Sequence, residues 1–426
     1  MWILIIISIL LLVALISVLK IQPFIAFIIV SLFLGLANGL SSSTLIDAIQ
    51  RGIGATLGSI IVIIVLGAMI GKIIAKSDAT TVIADKLVAV LGPKRLPFAF
   101  MIIGFIVGLP LFYSVAFLLL VPLVLSTAKR HQINAVYLGV PMLASLSITQ
   151  GFLPPHPAPY YLASHLPGAD IGKILGIGIL VSIPAMLIAG WLFGKSLRHL
   201  PNEPMLFTSE ENQQQLPSFG LCVFVLLLPV LLIALHSFSS NTVVLFLSEP
   251  IVALLISLVA AIYLIGLKRG IAWQEMQVWL LDAVKEISPL MLTIGGAGAF
   301  KEILQAMHLG DEILKLTADS TINPLIIAWL IAAALRIVTG SSTVAGITTA
   351  GLILPILAST GMNPNLLALS IGSGSLVLSH VNDTGFWLFK EYFGVSIKDS
   401  LKSWTVMETI IAVVGLLGVL VIDHFI

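Results

Sequence analysis

Apolar residues run along this chain in long blocks separated by short polar breaks. The blocks lie at about 2–19, 24–40, 57–75, 96–128, 135–165, 172–194, 218–237, 249–267, 287–307, 322–359, 365–389 and 404–425. A helix needs about 20 apolar residues to cross the hydrocarbon core of a bilayer, so the pattern predicts an all-α polytopic membrane protein with the lipid bilayer as its solvent. No Lys or Arg precedes block 2–19, which therefore reads as a first span and not as a secretory signal. Blocks 96–128 and 322–359 are too long for one crossing, and polar, Pro or Gly residues break each near its middle.

Basic residues punctuate the blocks: Lys20, Lys76, Lys94-Arg95, Lys129-Arg130, Lys195 with Arg198, Lys268-Arg269, and Lys390, Lys398 and Lys402. The positive-inside rule assigns them all to the cytoplasm. Both ends of 96–128 then face the cytoplasm, so this block is expected to enter and return as an inner re-entrant hairpin. Block 322–359 lacks such flanks, and counting from Lys268-Arg269 places both its ends outside, as an outer hairpin. The count gives about ten crossings, two opposed hairpins and both termini outside.

Composition narrows the class. The chain has 21 Lys and Arg and 20 Asp and Glu, 10% of its residues, and 58% are apolar. A soluble domain carries about 25% charged residues, so an ordinary soluble enzyme is excluded, as are a disordered chain and a disulfide scaffold. A net charge of +1 argues against nucleic acid as a partner. Cys222 lies in an apolar run and reads as a small buried hydrophobe. No Walker A loop supports an ATP-driven pump. His131, His156, His165, His199 and His236 show no metal-ligand spacing, so neither metal nor cofactor is expected.

The longest polar stretch, 198–217, reads as a cytoplasmic linker between halves. Residues 270–286 alternate at helical spacing and predict an interfacial amphipathic helix with Trp273 and Trp279 as anchors. Shifting the chain by 229 positions places Lys72 on Lys301, Ser114-Val115-Ala116 on Thr343-Val344-Ala345, Asn134 on Asn363, and Asp170 and Lys173 on Asp399 and Lys402. The topology above puts these copies in opposite orientation, the inverted-repeat plan of secondary transporters, in which substrate sits at the midplane where broken helices meet. The expected organisation is N-terminal scaffold helices over 1–56, a first repeat over 57–197 with a broken helix at 135–165, the linker, and scaffold helices with the amphipathic helix over 218–286. A second repeat covers 287–426, with a broken helix at about 365–392.

Polar chemistry concentrates at the interruptions. Residues 108–114 (GLPLFYS) break the first hairpin. Thr149-Gln150-Gly151 leads into Pro154, Pro155, His156, Pro157 and Pro159, a run that cannot remain helical. The second half offers Arg336, Thr339, Gly340, Ser341, Ser342 and Thr343 at its hairpin, then Ser379, His380, Asn382, Asp383, Thr384 and Gly385. Ser370, Ser373 and Ser375 read as helix-packing residues, as do Gly67 with Gly71 and Gly104 with Gly108. An Asp inside a span costs about 2.5–3.5 kcal/mol on insertion scales and marks a substrate or proton path. Asp383, with His380 beside it, is therefore the candidate proton-coupling group. Arg336 either offsets an anionic substrate or snorkels from the hairpin base. Tyr113, Ser114, Gln150, His156, Thr339, Gly340, Ser341, Ser342, Thr343, Ser379 and Asn382 are the candidate substrate-binding residues.

At these residues the sequence resembles the gluconate permease family, the gluconate:proton symporters of the ion transporter superfamily. The resemblance rests on Gly108–Phe117 with Pro122, Leu153–Pro159, Arg336–Ala345, and Gly372–Ser375 through Ser379–Trp387. It implies uptake of gluconate or a related small sugar acid with protons across a bacterial inner membrane. It also implies an elevator-like architecture of scaffold and transport domains, with which a homodimer is compatible. Many members carry an acid in the first hairpin, in a Phe-Phe-Glu-Val-Gly pattern, where this chain has Phe112-Tyr113-Ser114-Val115-Ala116. The family also holds transporters of D-serine and other hydroxylated acids, and a sodium-coupled exchanger would use the same broken helices. Those alternatives stay open at the level of sequence.

Overall fold

The computed structural model describes residues 2–92, 95–204, 216–235, 241–307, 322–381 and 383–425. Among them no residue is in a β-strand. The linker read over 198–217 falls largely outside them, as do Lys94, His236 and Asn382.

The first half opens with α1 (Trp2–Val13), α2 (Pro23–Ala37), the 35-residue α3 (Ser42–Lys76) and α4 (Ala79–Leu91). The first long block then splits into α5 (Leu96–Gly108) and α6 (Tyr113–His131). The next divides into α7 (Ala135–Phe152) and α8 (Pro157–His165), and α9 runs over Ile171–Ser196. The second half contains α10 (Phe219–Ala234), α11 (Thr242–Ser248), α12 (Pro250–Arg269) and the 34-residue α13 (Trp273–Ala306). It continues with α14 (Pro324–Thr339), α15 (Ser342–Thr360), α16 (Pro364–Gly374), α17 (Thr384–Phe393) and α18 (Ile397–Phe425).

Both long blocks are thus helical hairpins. Leu109–Phe112 separate the arms of the first. The second turns on Gly340, whose φ of +67° suits a residue without Cβ, and on Ser341. The broken span of the first half parts at 153–156, where Pro154-Pro155 is cis and Pro157 opens α8. That of the second half parts at 375–383.

The 229-residue shift carries from isolated residues to whole elements. It maps α3 onto 271–305 within a residue or two of α13, and α6 onto α15 at both ends. The polar coincidences have a local cause. Asn134 and Asn363 each cap the N-terminus of the helix they precede, accepting from Val136 N–H at 2.9 Å and from Asn365 N–H at 2.9 Å. Asp170 likewise accepts from Lys173 N–H at 2.8 Å.

Packing follows the repeat. α5 lies on α7 and α7 on α9, while α14 lies on α16 and α16 on α18. Close approach of α5 to α7 requires Gly104, where any Cβ would come within 3.0 Å of the Met142 Cα. The long helices α3 and α13 pack against each other and α2 packs on α13. The two halves cross at their centre: α8 touches α15, with Ala158 against Gly346, and α6 touches α17, with Phe117 against Tyr392 at 5.5 Å between ring centroids. Rows of exposed apolar residues, such as Val406, Val413, Leu417 and Val421 on α18, face outward as a lipid-facing surface.

Two elements differ from the sequence reading. Residues 273–286 do not form a separate interfacial helix, because they continue into 287–306 as the single helix α13. Met276, Trp279 and Ala283 face protein, with Trp279 buried beside Met276 and Ile271, whereas Trp273 is exposed. The boundary expected at 286/287 therefore falls inside a helix. α4, too polar to stand out as a block, also went unread.

Candidate functional site

The crossing of the two halves encloses a cavity of about 180 Å³, several times the roughly 30 Å³ share of one water molecule. The first residues of four helices line it: Tyr113 and Ser114 of α6, Pro157 of α8, Ser342 and Thr343 of α15, and Thr384 and Gly385 of α17. Helix N-termini present unpaired N–H groups and the positive end of the helix dipole. The N-terminus of α6 has no side-chain cap, and that of α15 is capped only by a long 3.4 Å contact from Val344 N–H to Ser341 Oγ. The ends of α6 and α15 therefore suit an anion, whereas Pro157 brings no N–H from α8 and the Gly385 N–H of α17 is taken by Asp383.

Charged groups enter from the second half and from α18. Arg336, in the last turn of α14 and 4% exposed, forms an ion pair with Asp383. Asp383 also accepts from the Ser379 hydroxyl and, at 2.8 Å, from Gly385 N–H, so it caps α17. Arg336 Nε is buried without a partner. Glu408 of α18 is 1% exposed, and its Oε1 accepts from the Ser147 hydroxyl of α7. Trp404 closes one wall, its ring edge-on to Tyr113 at 5.7 Å and its indole N–H donating to Ser379 Oγ at 2.8 Å. The Tyr113 hydroxyl is buried without a partner. Gln150 Nε2 donates to Ser342 Oγ at 3.1 Å, tying α7 to α15.

Of the residues singled out from the sequence, Tyr113, Ser114, Gln150, Arg336, Gly340, Ser341, Ser342, Thr343 and Asp383 line this cavity together. Others belong to its frame. The His156 ring nitrogen Nε2 lies 2.7 Å from the Gly108 carbonyl oxygen and secures the end of α5. Ser379 is held between Asp383 and Trp404, and its own carbonyl accepts from the Thr405 hydroxyl at 2.5 Å. His380 Nε2 lies 3.2 Å from the Ile337 carbonyl oxygen. Thr339 donates to the Leu335 carbonyl and lines a second cavity of about 590 Å³. That second space lies between the hairpin turns and helices α2 and α13, shares Phe112, Ser114, Leu290, Gly340, Ser341 and Thr384 with the first, and is mostly apolar. The serines read as packing residues behave so: Ser370 donates to Leu325 O at 2.6 Å, Ser373 to Ser370 O and Ser375 to Gly372 O.

Sequence reasoning passed over Glu408, Ser147 and Trp404. The signal for Glu408 was available, since it is an acid inside an apolar block, followed by fourteen residues without a charge. The other two are marked by nothing except their contacts.

A polar cavity bounded by interrupted helices, inside a bundle that has, among the described residues, six helices long and apolar enough to cross a membrane, defines a multi-pass membrane transporter. The fold agrees with two solved transporters. It is similar to the YdaH transporter of Alcanivorax borkumensis, with TM-score 0.66 and 15% identity over 95% of this chain and 98% of that one. It is also similar to MtrF of Neisseria gonorrhoeae, with TM-score 0.64 and 13% identity over 93% of each chain. At these identities the likeness concerns the fold alone. Residues 1–425 match the family model of the GntP family permeases, and the chain belongs to that family. Among its relatives, a high-affinity gluconate transporter of Escherichia coli K12 is 40% identical over 95% of each chain. The L-idonate transporter of the Gnt-II system in the same organism is 41% identical over 95% of this chain and 94% of its own, and a gluconate permease of Bacillus subtilis 168 is 40% identical over 96% of each.

Proposed function

We propose that this permease imports gluconate or a closely related sugar acid across the bacterial inner membrane, together with protons. The observation that supports this most is the cavity itself, where four helix N-termini and a buried arginine surround a wall of hydroxyls. A sugar acid presents one carboxylate and a row of hydroxyls. The carboxylate suits the ends of α6 and α15 and the free Nε of Arg336. The hydroxyls suit Ser114, Gln150, Ser341, Ser342 and Thr343, polar groups that are costly to leave unpaired once water is displaced. Relatives named for gluconate and L-idonate agree with this substrate class.

The transport cycle in this reading is that of an elevator. The hairpins α5–α6 and α14–α15 and the broken helices α7–α8 and α16–α17 move as one body against a scaffold that includes α2, α3 and α13. The two repeats are inverted across the membrane, so that the hairpins are re-entrant from opposite sides, with both termini outside. The repeat in element bounds supports this, and the larger apolar cavity beside α2 and α13 serves as the approach to the site. A homodimer would supply the stationary frame such motion needs.

The test is uptake of labelled gluconate into proteoliposomes under an imposed inward proton gradient, competed by L-idonate, other sugar acids and D-serine, with and without sodium. Proton-driven accumulation blocked by sugar acids is the expected result. Accumulation that needs sodium, or that D-serine alone competes, overturns the coupling or the substrate respectively.

A further inference from the structure

We propose that Glu408 carries the coupling proton, an assignment that rests on the proton-coupled reading above. Two acids line the cavity and their settings are opposite. Asp383 is occupied on both oxygens, by Arg336, the Ser379 hydroxyl and Gly385 N–H. Protonating it breaks an ion pair and a helix cap. Among the described residues, Glu408 is buried to 1% exposure with one hydrogen bond, from Ser147, and forms no ion pair.

The groups around Glu408 leave a proton as its available counter-charge. From α14 comes Arg336, already paired, and from the segment before α17 comes Asp383. From α6 comes the Tyr113 hydroxyl, buried and unpartnered. From α7 comes Ser147, which is not ionisable in this range; the one titratable residue of that helix is Tyr137 in its first turn. α16 has no ionisable residue, and the two charged residues of α9, Lys173 and Lys195, lie in its first and last turns. Ser114 brings no charge from the first hairpin. A buried carboxylate without a cation is neutralised by binding a proton.

This setting links the proton to the substrate. An entering sugar-acid carboxylate would share the cavity with Asp383 and an ionised Glu408. Like charges lining one small cavity repel, the more so where one of them is buried as Glu408 is. A proton taken from outside converts Glu408 to the neutral acid, removes that repulsion and leaves an O–H able to donate to a substrate oxygen. Release of substrate inside lets the proton leave to the cytoplasm, and the empty carrier returns. Arg336 and Asp383 stay paired and charged throughout, so only one group changes its state.

The experiment uses the full-length permease in proteoliposomes, with labelled gluconate and a trapped pH indicator. The wild type must first show proton-linked gluconate uptake; if it does not, the proposed function fails and no variant is compared. Given that behaviour, Glu408→Gln is expected to abolish accumulation above the gluconate gradient and to reduce protons moved per gluconate to zero. Any residual flux then follows the gluconate gradient alone and loses its dependence on pH. Proton-driven accumulation surviving in Glu408→Gln overturns the assignment. Should that variant fail to fold or show no flux, Ser147→Ala decides, because it keeps the carboxyl and removes its single hydrogen bond. A displaced pH profile for uptake supports Glu408, and a wild-type profile overturns it.

Discussion

Replacing Asp383 by Asn tests whether the Arg336–Asp383 pair is a structural element of the site. Asn keeps the shape and still accepts from Gly385 N–H, now at 2.8 Å, so the cap on α17 survives. What is lost is the charge opposite Arg336, which is 4% exposed. Breaking a buried pair from one side costs about 3–5 kcal/mol, because the remaining charge is left uncompensated. Asp383 is itself 15% exposed, so water reaches the site and the cost belongs at the lower end, about 3 kcal/mol. Removing both charges in Arg336→Met with Asp383→Asn should return stability to within about 1 kcal/mol of wild type, since no orphan charge remains. The assay is unfolding in mixed micelles, followed by tryptophan fluorescence, with and without gluconate. Gluconate should protect Asp383→Asn more than wild type, because the freed guanidinium can pair with a carboxylate, and should protect the double variant less than Asp383→Asn. Stability of Asp383→Asn within about 1 kcal/mol of wild type, or no recovery in the double variant, would refute the reasoning.

Ser341→Ala and Thr343→Ala should each raise the half-saturation concentration for gluconate uptake about 2- to 10-fold, the value of one hydrogen bond; unchanged values would make that hairpin tip a packing element. His156→Ala should lower stability by about 1–3 kcal/mol, by leaving the Gly108 carbonyl without its ring partner, while leaving the half-saturation concentration as it was. Parallel unfolding and uptake assays separate these effects. Gly104→Val should push α5 off α7 and cost about 1–3 kcal/mol or more, seen as a lower unfolding midpoint, because the obstacle is Met142 backbone and cannot rotate away.

The fold was largely legible because its signals are local. Blocks of apolar residues mark spans, and breakers inside blocks mark the hairpins. Asn134 and Asn363 coincide at the 229-residue offset because each caps the helix that follows it. Elements were misread where local signals mislead: residues 273–286 have the periodicity of an interfacial helix, yet Met276, Trp279 and Ala283 are buried by protein and the helix continues to Ala306. The site was legible for residues at the hairpin turns, since a break inside a span must be lined by polar groups. It was not legible where a polar side chain next to a break is taken up by other groups of the protein. His156 and Ser379 lie beside the interruptions, yet their polar atoms are taken by Gly108, Trp404 and Asp383. Ser147 and Trp404 are ordinary span residues until α7 and α18 are placed side by side.

The charge pattern of the cavity bears on why a pair as costly as Arg336–Asp383 is buried there. Alone, Arg336 would hold a carboxylate tightly enough to oppose its release; alone, Asp383 would repel it. Paired, they form a dipole with no net charge, while the unpartnered Nε keeps a donor free for the substrate. Net attraction then falls to helix N-termini, which orient a carboxylate without a full opposing charge. Under the proposed proton-coupled elevator cycle, a substrate would add one negative charge and a proton on a second carboxyl would cancel it. The loaded and empty sites would then differ little in net charge while crossing a bilayer where each uncompensated charge is expensive. In the proposed reading the hydroxyl wall would set specificity separately: an acid lacking the sugar hydroxyls would leave the donor capacity of Ser341, Ser342 and Thr343 unused, a penalty that an equal attraction at its carboxylate would not offset.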